Sequence, residues 1–304
     1  MSEGIMTTTK TFSTILIANR GEIACRIIKT AKAQGYHTVA IYSPIDSNSP
    51  HVKLADTAIA LGDNNVENSY LNSDKIFIAA KVSNADAIHP GYGFFSENAD
   101  FALRCSEQNI TFIGPSSEAI RMMGCKRQAK LAMLAADVPC IPGYEGETQN
   151  DSALLQQAER IQWPVMIKAS AGGGGRGMRL VHNKNDFIEQ LPLARSEASK
   201  AFGSDDVILE KALINARHIE VQIFADHFGN VIYLGERDCT LQRRHQKIIE
   251  EAPSPVVNET LRTAMGQAAV KAAKTCHYVG AGTVEFLLDQ QQNFYFLEMN
   301  TRLQ

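Results

Sequence analysis

Apolar positions follow two different rhythms along this chain. From Thr14 to about Gly124, short unbroken apolar runs alternate with segments of helical spacing. Thr14-Ile-Leu-Ile-Ala18 has the length of a strand buried on both faces, Ile23, Ile27 and Ile28 recur at helical spacing between Gly21 and Lys32, and Thr38-Val-Ala-Ile-Tyr42 is again strand-like. The alternation continues through Ile76–Val82, Ala87-Ile88, Phe101–Cys105 and 111–113. It predicts an α/β domain with an open parallel sheet and helices on both faces. Helical segments over Ser117–Met123 and Lys126–Ala136 lead to Pro139-Cys-Ile-Pro-Gly143, rich in helix breakers. Beyond it the pattern has period two, with strands expected at Pro164–Lys168, Met178–Val181, His218–Ile223, Thr283–Leu288 and Phe294–Asn300, and a helix near Asp186–Lys200. We therefore expect a loose tail over 1–11, one domain over 12–124 and a second over 125–304.

The second region carries the chemistry. Between two strand-like segments lies Gly172-Gly-Gly-Gly-Arg-Gly177, with glycine in five of six positions. Glycine loses the most conformational entropy on folding, so such a run points to backbone amides that must touch a ligand, and phosphate suits them. A flexible hairpin tip is the alternative. Lys168, set among Val165, Met166 and Ile167, asks for an anionic partner and favours the phosphate reading. The run is neither a Walker A loop nor a dinucleotide fingerprint, because Met-Arg-Leu-Val follows it where a helix would have to start.

Two acids repeat the theme with opposite sign. A hairpin symmetric about Gln291 and Gln292 sets Leu288 opposite Tyr295 and Glu285 opposite Glu298. Carboxylates facing one another across strands repel, so shared protonation or a cation must hold them. Asn300 points the same way as Glu298, and oxygen-only ligands of this kind suit magnesium. An exposed hairpin with incidental acids is the alternative. In His218–Ile223 the polar face His218, Glu220, Gln222 is either a solvated sheet face or part of this site, and Glu236–Lys247 mixes charges of both signs. His89-Pro-Gly-Tyr-Gly93 follows a strand and is a ligand loop or a plain turn.

Composition narrows the classes. With 44% hydrophobic and 21% charged residues and a net charge of −3, the chain lacks the basic surplus of a nucleic-acid binder. No apolar run approaches the roughly 18 residues of a membrane span. The six cysteines show no metal-ligand spacing and read as reduced thiols of a cytoplasmic protein.

Ile17-Ala-Asn-Arg-Gly-Glu-Ile-Ala24, His89–Asn98, Ile167–Met178, Glu236–Lys247 and Glu298-Met-Asn-Thr-Arg302 together resemble the signatures of biotin carboxylases, members of the ATP-grasp superfamily. The likeness runs from about residue 12 onward and is strongest to the biotin-carboxylase subunits of acyl-CoA carboxylases, the methylcrotonyl-CoA type included. It implies a Rossmann-like N-terminal domain followed by an ATP-grasp domain. It further implies that bicarbonate attacks MgATP to give carboxyphosphate, which carboxylates biotin. On this resemblance Lys126 and Lys168 contact the phosphates, and Gly174 and Gly175 lie in the lid. Glu210, Lys211 and Leu213 border the adenine, with His218, Gln242 and His245 near ribose and phosphate. Glu285, Glu298 and Asn300 bind magnesium or manganese, the two glutamates also counting among the ATP ligands. Lys247, Arg302 and Gln304 hold bicarbonate, and Arg302 also stabilises the biotin enolate. Expected partners are a biotin carboxyl carrier domain or protein, a carboxyltransferase subunit and a second copy in a homodimer or larger complex, with no nucleic acid or membrane. The resemblance also implies that the last strand continues through Gln304 into a base glutamate and a further domain, so this chain alone is expected to carboxylate biotin poorly. Another ATP-grasp ligase and a non-catalytic nucleotide-binding module are the rival readings.

Overall fold

The structure, a computed structural model, describes residues 12–170, 178–243 and 246–304. The expected tail over 1–11, the glycine run with Gly174 and Gly175, and His245 lie outside the described residues. The chain divides into two compact units, one up to Ser117 and the other from Glu118 to Arg302.

In the first unit, β1 (Thr14–Ile17), α1 (Gly21–Ala33), β2 (His37–Tyr42), α2 (Pro50–Leu54), β3 (Thr57–Ala60), α3 (Ser73–Val82), β4 (Ala87–His89), α4 (Ala99–Glu107) and β5 (Thr111–Phe112) follow in order. The strands form one sheet in the order β3-β2-β1-β4-β5, parallel throughout. The run Ile15-Leu16-Ile17 shows why it carries no polar break. Ile15 and Ile17 pack with Ile23, Ile27 and Ile28 of α1, while Leu16 packs on the other face with Ile76 and Phe101. The 89–93 loop is a built turn: Asn19 Nδ2 donates to the carbonyls of Pro90 and Tyr92, and Gly91 N donates to His89 Nδ1. Gly91 has φ +66°, and a Cβ there would lie 2.9 Å from Asn19 Nδ2, so glycine is required. Burial first, then Arg26, lower the His89 imidazole to about 4.

The second unit runs α5 (Ser117–Gly124), α6 (Lys126–Ala135), β6 (Gly143–Tyr144), α7 (Asp151–Ile161), β7 (Val165–Ala169), β8 (Arg179–Val181), α8 (Lys184–Phe202), β9 (Val207–Lys211), β10 (Arg217–Ala225), β11 (Val231–Asp238), β12 (Gln242–Arg243), β13 (Gln246–Lys247), α9 (Glu259–Thr275), β14 (Gly280–Leu288) and β15 (Phe294–Asn300). Two antiparallel four-stranded sheets result, β6-β9-β7-β8 and β11-β10-β14-β15. Each buries one face under helices. Val165, Ile167 and Leu209 pack with Leu154 of α7 and Phe187, Leu191 and Ala194 of α8. Ile219, Val221, Val284, Phe286 and Met299 pack with Met265, Ala269 and Ala272 of α9 and Met133 of α6. Period-two alternation therefore turns Lys168, Glu210, Glu220 and Glu285 to the opposite faces.

The last hairpin corrects the symmetric register. Leu288 pairs with Phe294 and not Tyr295, Phe286 pairs with Phe296, and yet Glu285 does pair with Glu298. The difference is a β-bulge that leaves Leu297 without an opposite residue. Phe296 and Met299 both reach the core because of it, and Glu298 and Asn300 leave the face that Phe296 occupies. The ladder ends at the Thr283–Asn300 pair, so the expected strand through Gln304 stops at Asn300. Among the described residues no helix is long and apolar enough to cross a membrane.

Candidate functional site

Three acids sit in a row on neighbouring strands of the β11-β10-β14-β15 sheet. Glu220 on β10 pairs with Glu285 on β14, which pairs with Glu298 on β15. Glu220 is 0% and Glu285 3% exposed, so this is no solvated sheet face. Cations fill the spaces between them. Lys247 Nζ donates to Glu220 Oε2 at 2.5 Å and to Glu285 Oε1 at 2.6 Å, and Arg237 Nε donates to Glu220 Oε1. Gln242 Nε2 donates to His218 Nδ1 at 2.8 Å, which leaves His218 Nε2 to donate to Glu285 Oε2. Asn300 Nδ2 donates to Glu285 Oε1 at 2.6 Å, while its Oδ1 accepts from Arg302 Nη2 at 3.0 Å. Arg302 Nη1 in turn donates to Gln304 Oε1 at 2.5 Å. Lys247, Glu285, Asn300, Arg302 and Gln304 are thus one continuous polar chain.

The electrostatics separate the two facing glutamates. Burial alone would raise Glu285, but the His218 hydrogen bond and the Lys247 ammonium more than reverse this, and its carboxyl falls to about 2. Burial and then the charge of Glu285 raise Glu298, only partly offset by Lys126. Glu298's carboxyl has no hydrogen-bond or ion-pair partner among the described residues. Lys247 is pulled down by burial and pushed further up by Glu285 and Glu220.

On the β6-β9-β7-β8 sheet, Lys168 finds its anion within the chain. Its ammonium is paired with Glu210 Oε2, and Glu210 Oε1 accepts from Lys130 Nζ at 2.9 Å. Lys130 also meets Glu145 Oε1 at 2.5 Å. Burial raises the Glu210 carboxyl, and Lys168 and Lys130 outweigh it and hold the group below the ordinary carboxylate range. Lys126 opens α6, its backbone N–H bonded to Ser170 O beside the start of the glycine run. Burial lowers its ammonium first, and the charge of Lys168 lowers it further, against Glu298 and Glu210. The charged faces of the two sheets therefore sense one another.

Not every expected residue joins this group through its side chain. Glu210 turns its carboxylate to Lys168 and Lys130, and its backbone pairs in the sheet with Gly143 and Met166. Lys211 lies on the other face of β9, its Nζ donating to the carbonyls of Gln162 and Trp163. Leu213 lies past the end of β9, half-buried. Gly174, Gly175 and His245 lie outside the described residues. Two participants, Lys130 and Glu145, were missed, while Glu220 and Arg237 stood in the sequence only as parts of a polar strand face and a mixed-charge stretch. The strand alternation offered Glu220, and Lys130 stands one helical turn after Lys126.

The expected oxygen donors fit a hard divalent cation. Glu285, Glu298 and Asn300 lie at the end of the same hairpin ladder, and a carboxyl raised by burial and then by its neighbour's charge is where a cation lowers the energy. Here Lys247 and the Asn300 amide NH₂ both take Glu285 Oε1 and His218 takes Oε2, so these partners must shift for a metal to be held. Among the described residues the one group of three His, Cys, Asp or Glu with ligand atoms within 4.8 Å of one another is a different set, Glu220, Cys239 and Glu250. Burial pushes the Cys239 thiol up to about 12 and Glu220 is already paired, which disfavours metal there.

Comparison with known proteins identifies the two regions of the chain. The biotin carboxylase N-terminal domain matches residues 11–120, and the carbamoyl-phosphate synthase L chain ATP-binding domain matches 125–304. The mitochondrial methylcrotonoyl-CoA carboxylase subunit alpha of Mus musculus is 57% identical over 290 residues, which are 95% of this chain and 40% of that protein. The chain thus spans about two fifths of the length of that relative. A biotin carboxylase–β-γ-ATP complex from Campylobacter jejuni superimposes with a TM-score of 0.94 at 50% identity, covering 97% of this chain and 66% of that one. The biotin carboxylase domain of the Hydrogenobacter thermophilus 2-oxoglutarate carboxylase, solved with MgADP, ADP and bicarbonate, superimposes with a TM-score of 0.92 at 48% identity, covering 97% and 65%. The fold is an α/β parallel-sheet domain followed by an ATP-grasp domain, and the chain belongs to the biotin carboxylase family.

Proposed function

We propose that this chain serves ATP- and bicarbonate-dependent carboxylation of biotin, the first half-reaction of an acyl-CoA carboxylase. Bicarbonate attacks the γ-phosphorus of ATP, ADP leaves, and the resulting carboxyphosphate gives its carboxyl group to a ureido nitrogen of biotin and releases phosphate. The observation that carries this reading is the pairing of a lysine-lined face with an acid-lined face in one unit, one suited to phosphates and the other to their cation. Phosphoryl transfer is mainly positioning and charge neutralisation, which is what these side chains supply.

Lys126 and Lys168 hold phosphates, under the lid containing Gly174 and Gly175. His218 and Gln242, with His245, lie toward the ribose, and the backbone of Glu210, Lys211 and Leu213 edges the base. Lys247, Arg302 and Gln304 hold bicarbonate, and Arg302 stabilises the enolate of biotin. Glu285, Glu298 and Asn300 would hold magnesium or manganese, which when bound neutralises phosphate charge. Biotin arrives on a carrier domain or protein, and a carboxyltransferase subunit consumes the product within a homodimer or larger complex. The mouse relative supports the methylcrotonyl-CoA type. The six free cysteines suit a reducing compartment such as the cytoplasm.

The test is ADP release with ATP, magnesium and bicarbonate, with and without biotin or a biotinylated carrier. Only weak stimulation by biotin is expected from this chain alone. Release that responds to another acceptor and ignores biotin would favour a different ATP-grasp ligase, and tight nucleotide binding without turnover in any arm would favour a binding module.

A further inference from the structure

The buried lysine that no nucleotide contact explains is Lys130. It is 4% exposed, on α6, and its ammonium lies between Glu145 Oε1 at 2.5 Å and Glu210 Oε1 at 2.9 Å. Gly143 lies close against this group: a Cβ there would come within 2.3 Å of the Leu209 carbonyl of β9, 2.6 Å of Lys130 Nζ and 2.9 Å of Glu145 Oε1. Glu210 is 5% exposed and each of its oxygens meets one lysine, Oε2 facing Lys168 and Oε1 facing Lys130.

This arrangement resolves a conflict in the proposed site. A fully buried carboxylate stripped of its counter-ion is costly. Were Lys168 the only partner of Glu210, moving its ammonium onto a phosphate would strand that charge, and the ion pair would compete with the ligand. A second lysine on the other oxygen removes the competition. Resting on the reading of Lys168 as a phosphate ligand, we propose that Lys130 is a positioning residue that keeps Glu210 compensated and so frees Lys168 for the nucleotide. Glu145 completes the set by balancing Lys130 on its far side.

The experiment is calorimetric titration of the chain with ATP in the absence of divalent metal, with thermal unfolding as the check on folding. Lys130→Met should weaken ATP by about 10-fold, because Lys168 is then held by Glu210 alone. Glu210→Gln should tighten ATP several-fold, and combining it with Lys130→Met should bring affinity back to within about 3-fold of the unmodified chain. A purely structural role for Lys130 predicts additive losses and no recovery, which would overturn the proposal, as would unchanged affinity in Lys130→Met or weakened affinity in Glu210→Gln. The Glu210→Gln arm stands even if Lys130→Met does not fold. Lys168→Met separates the two levels of argument. If it leaves ATP affinity intact, the phosphate reading of the site fails; if it loses affinity while Lys130→Met does not, only the role of Lys130 fails.

Discussion

The second unit builds two charged sheet faces by the same device and gives them opposite imbalances. On the β7–β9 face, Lys126, Lys130 and Lys168 gather around Glu145 and Glu210, a surplus of positive charge. On the β10–β14–β15 face, Glu220, Glu285 and Glu298 gather around Lys247 and Arg237, and the last acid has no ion-pair partner among the described residues. In each, helices hide the apolar side and period-two alternation delivers the charges to the other. One face wants an anion and the other a cation. On the proposed function a metal-bound polyphosphate would bring both, and the two imbalances would form a single specificity.

The comparison breaks most visibly at its most shared acid. Glu285→Gln removes the charge that Lys247, His218 and Asn300 converge on, and should cost about 3 kcal/mol of stability in denaturant unfolding. A loss below about 0.5 kcal/mol would mean that Lys247 is adequately held by Glu220 alone. Next in size, Lys168→Ala should weaken ATP about 30-fold, a charge-assisted hydrogen bond of about 2 kcal/mol. Lys247→Ala should leave ATP affinity near its starting value and raise the bicarbonate KM. Equal loss of ATP binding in both would erase the distinction between the two faces.

Glu298→Gln should act with opposite signs on stability and on ligand. Removing a charge that repels Glu285 should stabilise the ligand-free chain by about 1 kcal/mol near pH 7, while weakening MgATP more than ATP without metal. A chain destabilised by this change would show that Glu298 already has a cation. The smallest effect is its pH dependence. Glu298 is raised above its ordinary 4.5, so its stabilising contribution is complete below pH 4.5 and is lost as pH climbs through the raised value. Glu285, lowered to about 2, contributes above pH 4.5 and loses its contribution as pH falls toward 2. The stability gap between Glu298→Gln and the unmodified chain should therefore close below pH 4.5 and open above it. A constant gap would point to packing.

Much of this was legible in the sequence because alternation is a local signal. The runs around Ile15–Ile17 and Val39–Ile41, and the two faces of Ile219–Ile223, follow from spacing alone. The facing of Glu285 and Glu298 was legible too, though through a register that fails at Leu288. What could not be read were partnerships between distant segments. Lys168 looked in need of an external anion because nothing local marks Glu210 as its partner, and Lys130 looked like an ordinary helix residue because its acids lie on β9 and after β6. Likewise Asn300 was read as an oxygen donor from the direction of its side chain, whereas rotation about its amide, set by Glu285, Thr283 and Arg302, turns the NH₂ inward.

The bulge at Leu297 makes the acid-lined face a matter of counting and not of composition. Pair Leu297 with Glu285 in an unbulged ladder and every side chain after it changes sides: Glu298 and Asn300 would join Phe296 against the α9 core, and Met299 would take their place among the acids. No amino acid of the site would have been altered, yet Glu298 and Asn300 would be on the wrong side. A slip of register at this position is therefore more damaging than a change of letter, whereas deletion of Leu297 itself would leave Phe296, Glu298, Met299 and Asn300 on the faces they hold now.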